Sequence, residues 1–340
     1  MTDGPGAFSL KAYYDRAWEE RQPTLTCRAS TVDEWRHWRA ALRARLTDLL
    51  GAFPDERCPP RPTVLDRVET DRYVRQKITF DSEPGMTIPA YLFTPRDTAP
   101  GERLPAMLCL HGHGRGKDDV AGIASSPKER QQRIRALNHD YGHRLAGQGY
   151  VVLAPDARGF GELAADGMTC AWAMTAGLLL GKVLVGLRVW DAMRAIDYLH
   201  TVPHVDPARI GCIGLSWGGT HTMYTAALDD RVRVAVISGA FGSFKDALID
   251  APECPCQYVP NLLQWADLAD IVALIAPRPL LIEQGADDPH YTREVAHAEY
   301  ERVRRLYALL GHVERVAFDP LPGNHRFGGD GASAWLARWL

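Results

Sequence analysis

From about residue 104 the chain alternates short, nearly unbroken apolar runs with longer stretches whose apolar residues recur every three or four positions. The apolar runs are 106–110, 150–154, 210–215, 232–237, 279–283 and 313–318. The helical periodicity covers 140–147, 181–200, 217–228, 293–310 and 331–340. A strand that is apolar on both sides must be covered on both faces, so this alternation predicts a mostly parallel sheet between two layers of helices. Upstream, 64–70, 73–80 and 87–93 are shorter-period runs, and Pro84-Gly85 turns between the last two, as expected of antiparallel strands.

The first part of the chain, 8 to about 58, carries a helical pattern. Trp35, Trp38, Leu42, Leu46, Leu49 and Leu50 fall on one face, Thr31 is placed to cap the start, and Gly51 ends the run. Cys58-Pro59-Pro60-Arg61-Pro62 then reads as a stiff linker. The expected organisation is a helical extension over 1–62 and an α/β domain over 63–340. Trp18, Trp35 and Trp38 are expected to pack the extension onto that domain. Two stretches, 161–176 and 241–266, break the alternation just after core strands. Insertions there sit over the carboxyl edge of a parallel sheet, where ligands bind, so both are expected to form lids.

Composition narrows the function more than the fold. With 39 Lys+Arg against 42 Asp+Glu, the formal net charge is −3 and the basic residues are dispersed, so neither nucleic acid nor an anionic membrane is expected as a partner. The longest apolar stretch, 171–189, is interrupted by Gly177, Gly181, Lys182, Gly186 and Arg188 and does not read as a membrane span. Met1-Thr2-Asp3-Gly4-Pro5-Gly6 lacks the basic start and apolar core of a secretion signal, and a cytoplasmic location is the expectation. The seven cysteines show no disulfide-framework spacing, and Cys254-Pro255-Cys256 is not a CxxC pair. They are expected to be reduced and structural, with no metal and no cofactor.

The chemistry is concentrated in Gly214-Leu215-Ser216-Trp217-Gly218-Gly219, which joins an apolar run to a helical one. A Gly-x-Ser-x-Gly turn between strand and helix is sharp enough to leave the serine hydroxyl exposed at the sheet edge. A serine needs a base, an acid to orient that base, and donors for the oxyanion. Each has a candidate in chain order. After 106–110 comes His111-Gly112-His113-Gly114, whose backbone N–H at His113, with Gly114 close behind, would join that of Trp217 as oxyanion donor. After 279–283 come Asp287 and Asp288, of which Asp288 stands at the better spacing for the acid. Before the last helix comes His325. The order Ser216, Asp288, His325 differs from the other two common serine-hydrolase orders. Glu162, Phe241, Phe244, Tyr258 and Trp265 are the candidates for contacting substrate. Gly112-His113-Gly114-Arg115-Gly116-Lys117 is no phosphate loop: His111 stands in place of the first glycine and Asp118 in place of the Ser or Thr that would hold magnesium.

These segments, together with Ala154-Pro155-Asp156-Ala157-Arg158-Gly159-Phe160-Gly161-Glu162 and Pro89-Ala90-Tyr91-Leu92-Phe93-Thr94-Pro95, resemble the dienelactone hydrolase-like and acetyl-xylan-esterase-like branch of the α/β-hydrolases. The resemblance implies the α/β-hydrolase fold, with a mostly parallel eight-stranded sheet, and a serine esterase acting on a small-molecule ester; a homo-oligomer is compatible with it. True dienelactone hydrolases carry cysteine where this chain has Ser216. In such folds an Asp-x-Arg-Gly loop is structural, which is the expectation for Asp156 and Arg158. Val205-Asp206-Pro207-Ala208-Arg209-Ile210-Gly211 is similar to the prolyl-oligopeptidase group, so an amidase is the nearest alternative. A carbon–carbon bond hydrolase and a non-catalytic receptor on the same scaffold are the others.

Overall fold

The computed structural model describes residues 9–54, 56–251 and 253–340. Nine strands form one sheet: β1 (Thr63–Glu69), β2 (Tyr73–Glu83), β3 (Met86–Pro95), β4 (Leu104–Leu110), β5 (Val151–Pro155), β6 (Val205–Leu215), β7 (Val234–Ser238), β8 (Leu280–Gly285) and β9 (Val316–Leu321). Their order is β1-β2-β3-β5-β4-β6-β7-β8-β9. The pairings β1–β2, β2–β3 and β3–β5 are antiparallel and the rest are parallel. This is the α/β-hydrolase fold, with one strand more than the eight expected. The edge strand β1, over the run 64–70 already read as a strand, is exposed along its whole length. Asp66, Arg67 and Glu69 lie on it among the exposed Val64, Leu65 and Val68, and such charges discourage pairing with another chain.

The helices are α1 (Leu10–Glu20), α2 (Val32–Leu49), α3 (Tyr141–Ala146), α4 (Cys170–Leu179), α5 (Leu184–Leu199), α6 (Trp217–Leu228), α7 (Leu268–Ala273), α8 (Arg293–Leu309) and α9 (Asp330–Trp339), besides several single turns. Two apolar clusters lie on the two faces of the sheet. Alternate residues of β7 divide between them, Ala235 and Ile237 to one and Val234 and Val236 to the other, as a two-residue side-chain period requires. The first cluster is covered by α5, α6 and α8, and the second by α3 and α9. No single described helix is long and apolar enough to cross a membrane. Cys170–Leu179 and Leu184–Leu199 together have the composition but are bent by 107°.

The N-terminal region is less uniformly helical than its pattern suggested. Residues 21–30, which contain Pro23, are irregular between α1 and α2, and residues 1–8 lie outside the described residues. Thr31 caps α2 by accepting from the Glu34 N–H at 3.2 Å. Leu42 and Leu46 are fully buried, and Trp35 and Trp38 pack against the same core. Arg43 donates to the carbonyls of Ala227 and Leu228 at 2.8 Å, closing the end of α6. At the other end of α2, the Leu50 carbonyl lies so close to Gly186 of α5 that a Cβ there would come within 1.9 Å of it. Helix α4 begins within the stretch 161–176 that breaks the alternation and runs three residues past its end.

Buried charge is arranged in local pairs. Lys117 Nζ is 2.9 Å from Asp156 and 2.5 Å from Glu162, and the Lys117 N–H donates to Asp156 at 2.8 Å. Arg158 holds Asp191 at 2.7 Å and Glu83 at 2.7 Å, tying the loop after β5 to α5 and β2. Glu283, on β8, has no such cation among the described residues. It is fully buried, one carboxyl oxygen has no partner among the described residues, and the other accepts the Gly328 N–H at 3.3 Å. Burial raises its pKa from 4.5 to about 7, and the nearby hydrogen-bond donors only partly oppose this.

Two outcomes are expected. Gly186→Ala should destabilise the protein by about 1–3 kcal/mol in urea unfolding, because backbone rather than a flexible side chain blocks the added methyl; a change below about 0.5 kcal/mol would mean that α2 does not seat on α5 as described. The second concerns Glu283. Between pH 4.5 and about 7 the folded chain keeps a proton that the unfolded chain has lost, so this group's contribution to stability falls as pH rises through that window, by roughly 3 kcal/mol in all. Glu283→Gln should flatten that slope and gain stability relative to wild type at pH 8, measured by denaturant unfolding across the pH range.

Candidate active site

Strand β6 ends at Leu215 and α6 begins at Trp217, so the whole turn is the single residue Ser216. Its backbone is at φ 61° and ψ −128°, a region that non-glycine residues avoid at a cost of about 1–3 kcal/mol. The glycines on either side make the turn possible by close approach. A Cβ on Gly214 would come within 2.2 Å of the Gly218 carbonyl oxygen, and one on Gly218 within 2.0 Å of the Leu110 carbonyl oxygen. The Ser216 N–H is held by the Ser238 carbonyl of β7 at 2.9 Å. As the first residue of α6, Trp217 has an N–H without an intrahelical acceptor, at the positive end of the helix.

The loop after β4 is oriented by His111. This buried ring lies 2.9 Å from the Ala157 N–H through Nε2 and 2.8 Å from the Gly112 carbonyl through Nδ1. The first contact requires an acceptor and the second a donor, so the ring is neutral with its proton on Nδ1. Burial lowers its pKa, in keeping with that state, and Asp156 only partly offsets it. With the Gly112 carbonyl held on one side, the trans peptide directs the His113 N–H to the other. Gly114 is packed against Asp119 and Arg133.

At the other end of the sheet, His325 Nδ1 lies 2.7 Å from Asp288 Oδ2, and the His290 N–H donates to Asp288 Oδ1 at 2.9 Å. Burial acts to raise the Asp288 pKa, but the hydrogen bond and charge of His325 outweigh it and hold the carboxyl below its usual range. Asp287 is exposed and makes only a backbone contact, its N–H to the Gly323 carbonyl at 3.0 Å. His325 packs over Gly239, where a Cβ would meet the ring at 2.9 Å.

Ser216, Trp217, His113 and His325 line one cavity of about 270 Å³. Thus three segments far apart in sequence share one space at the carboxyl edge of the sheet, and Asp288 stands behind the histidine. Such a cavity can hold a carbonyl against a hydroxyl, an imidazole–carboxylate pair and backbone donors.

The five residues expected to contact substrate are placed elsewhere. Phe241 and Phe244 are buried in the core, where their apolar rings are better accommodated than in a polar mouth. Tyr258 donates its hydroxyl to the Leu248 carbonyl at 2.6 Å, and Trp265 lies under the Arg45 guanidinium at 3.9 Å. Glu162 is held by Lys117 and by Lys77, the latter at 2.8 Å. None of the five lines the cavity. Its remaining wall comes from Thr220, Ala247, Glu253, Gln257, His290 and Tyr291, among others. Glu253 and His290 are 2.6 Å apart, and the His290 ring stands edge-on to His325 at 5.0 Å. The stretch 241–266 thus contributes small and polar residues to the cavity wall rather than its aromatic ones. Pro252 within it lies outside the described residues.

One grouping was not expected at all. His113, Cys170, Cys254 and Cys256 present donor atoms that lie within 4.8 Å of one another. The two cysteines of Cys254-Pro255-Cys256 are too close for a CxxC spacing, and the other two donors come from the β4 loop and α4, so no motif spacing marks the cluster.

The model of the Abhydrolase family matches residues 14–320. “Putative hydrolase YtaP” of Bacillus subtilis is 33% identical over 284 residues, covering 81% of this chain and 90% of that protein. A Bacteroides fragilis structure described as that of a putative acetyl xylan esterase superposes with a TM-score of 0.82 at 20% identity, covering 98% of this chain and 95% of the other. A glucuronoyl esterase from Solibacter usitatus superposes with a TM-score of 0.69 at 15% identity, covering 94% and 98%. The family match spans nearly all the elements that build the cavity, and the chain belongs to the Abhydrolase family within the α/β-hydrolase superfamily.

Proposed function

We propose that this chain is a serine hydrolase that cleaves carboxylic esters through an acyl-enzyme intermediate. The observation that carries the reading is the shared cavity of Ser216 and His325, with His325 bonded to Asp288 at 2.7 Å. His325, held by Asp288 through Nδ1, takes the Ser216 proton as the serine oxygen attacks the ester carbonyl. The oxyanion forms between the N–H groups of Trp217 and His113. His325 then gives its proton to the leaving alcohol, and water clears the acyl group by the same steps. Asp288 stabilises the imidazolium that forms in each half-reaction and stays ionised itself.

The size and lining of the cavity favour a short acyl group on a polar alcohol. At about 270 Å³ it is just below the usual range for ligand sites, and Thr220, Gln257, Glu253 and His290 offer hydrogen bonds. Two of the structural neighbours are named for carbohydrate esters, an acetyl xylan esterase and a glucuronoyl esterase, and an acetylated or similarly esterified sugar of small size is the substrate class we favour.

Hydrolysis of p-nitrophenyl esters from acetate to octanoate, by wild type and variants side by side, tests the reading. Turnover should be fastest for the shortest chains, and Ser216→Ala should lower kcat by a factor on the order of 10⁴ or more. Ser216→Ala with undiminished turnover would sink the assignment, and faster cleavage of aminoacyl p-nitroanilides would replace the ester by an amide. In the same assay Asp288→Asn should cost about 10³–10⁴ in kcat by stabilising the wrong histidine tautomer, whereas Asp287→Asn should stay within about threefold of wild type.

A further inference from the structure

We propose that His113, Cys170, Cys254 and Cys256 form a tetrahedral zinc site that fastens the loop after β4 to both insertions above the sheet. The imidazole Nε2 of His113 lies 3.3 Å from the Cys256 sulfur, the Cys170 and Cys254 sulfurs are 3.3 Å apart, and all four donor atoms fall within 4.8 Å of one another. With zinc–sulfur bonds of about 2.3 Å and zinc–nitrogen bonds of about 2.0–2.1 Å, the edges of a tetrahedral site are about 3.5–3.8 Å, which falls inside that range. The donor set is imidazole and thiolate, the soft and borderline ligands that select zinc over magnesium or calcium.

The charge around the cluster points the same way, and independently. Arg188 of α5 is fully buried, and among the described residues no carboxylate lies within ion-pair distance of it. Its Nε and Nη2 donate to the Arg158 carbonyl at 3.0 and 2.6 Å, while Nη1 is buried without a hydrogen-bond partner. The guanidinium lies 4.9 Å from the rings of both Phe160 and Trp217, and its charge acts on Cys170 and Cys256. A buried cation without a counter-charge is costly. Four neutral side chains would leave Arg188 uncompensated. Three thiolates and a neutral imidazole around a dication carry one net negative charge, which balances it. A Cys170–Cys254 disulfide would supply no such charge and would leave Cys256 and His113 without a role.

All four coordination positions are filled by the protein, so the ion holds no water for hydrolysis and acts as a clamp. One ligand comes from the β4 loop, one from the first residue of α4, and two from the insertion 241–266. The clamp thereby fixes the His113 side chain, and makes this loop a positioning element for the cavity. Binding would release three thiol protons, and its free energy would be added to folding.

The test uses tag-free, full-length protein purified under reducing conditions without added metal, and does not depend on the ester reading. Elemental analysis should find about one zinc per chain. Exchange with cobalt(II) should produce the visible bands of a tetrahedral site and the near-ultraviolet sulfur-to-cobalt charge transfer of coordinated thiolates. Cys254→Ser combined with Cys256→Ser should lose at least ten-fold in metal content, and Cys27→Ser, remote from the cluster, should retain it. Because the double variant could fail to fold, zinc released from wild type by titration with a mercurial thiol reagent gives a second reading, with release expected as the third cluster thiol reacts. Folded, reduced wild type that takes up neither zinc nor cobalt on dialysis would overturn the proposal, as would a Cys170–Cys254 disulfide found by mass spectrometry in protein purified without reductant.

Discussion

The carboxyl edge of the sheet depends on how closely three pieces of backbone approach one another. The end of β6, the first turn of α6 and the end of β4 come together at Gly214 and Gly218, where a single methyl group on either would collide with a carbonyl oxygen. That contact forces the chain to reverse within one residue and leaves Ser216 in a strained conformation. The strain persists because the flanking elements over-determine it: β6 is hydrogen-bonded between β4 and β7, and every residue of α6 is buried. The rest of the site is arranged around this fixed point, with the His113 loop on the β4 side and the Asp288 and His325 loops on the side of β8 and β9.

Buried polar groups hold those loops in place. His111 reads two backbone groups at once and so sets the direction of the peptide beside it. Lys117 and Asp156 neutralise each other beneath the same loop. Glu283 is the exception, a carboxyl whose burial is offset by taking up a proton rather than by a cation, close under the glycines that carry the chain from His325 to α9. Arg188 is the opposite exception, a buried cation with one nitrogen unpartnered, whose charge acts on the thiols of Cys170 and Cys256.

Much of the fold was legible in the sequence because parallel strands buried on both faces leave continuous apolar runs, and the helices between them keep their period. The nine runs read as strands all appear in the sheet, and α6 has the bounds its pattern suggested. The two segments that break the alternation were legible, but their contents were not. Helix α4 was missed because Ala, Met, Gly and Leu in that stretch form no amphipathic contrast, and its outer positions, Trp172, Leu178 and Leu179, are apolar although exposed. The aromatic residues of 241–266 suggested a pocket, yet Phe241 and Phe244 anchor the insertion from below while Ala247, Glu253 and Gln257 face the cavity. A large apolar side chain gains more from full burial than from a solvated mouth, and hydrophobicity alone does not say which of the two a loop offers it.

By itself the sequence determined the strands and most of the helices along the chain, the family, and the elbow that raises Ser216, since these rest on local periodicity and on glycines whose spacing is fixed within a few residues. Only the tertiary structure decided what stands around the elbow. It pairs Asp288 rather than Asp287 with His325, ties Glu162 to two lysines away from the cavity, and gathers His113 with three cysteines drawn from two other segments. Those outcomes depend on distances between segments separated by tens to hundreds of residues, which are set by strand order and close packing and which no local pattern in the chain records.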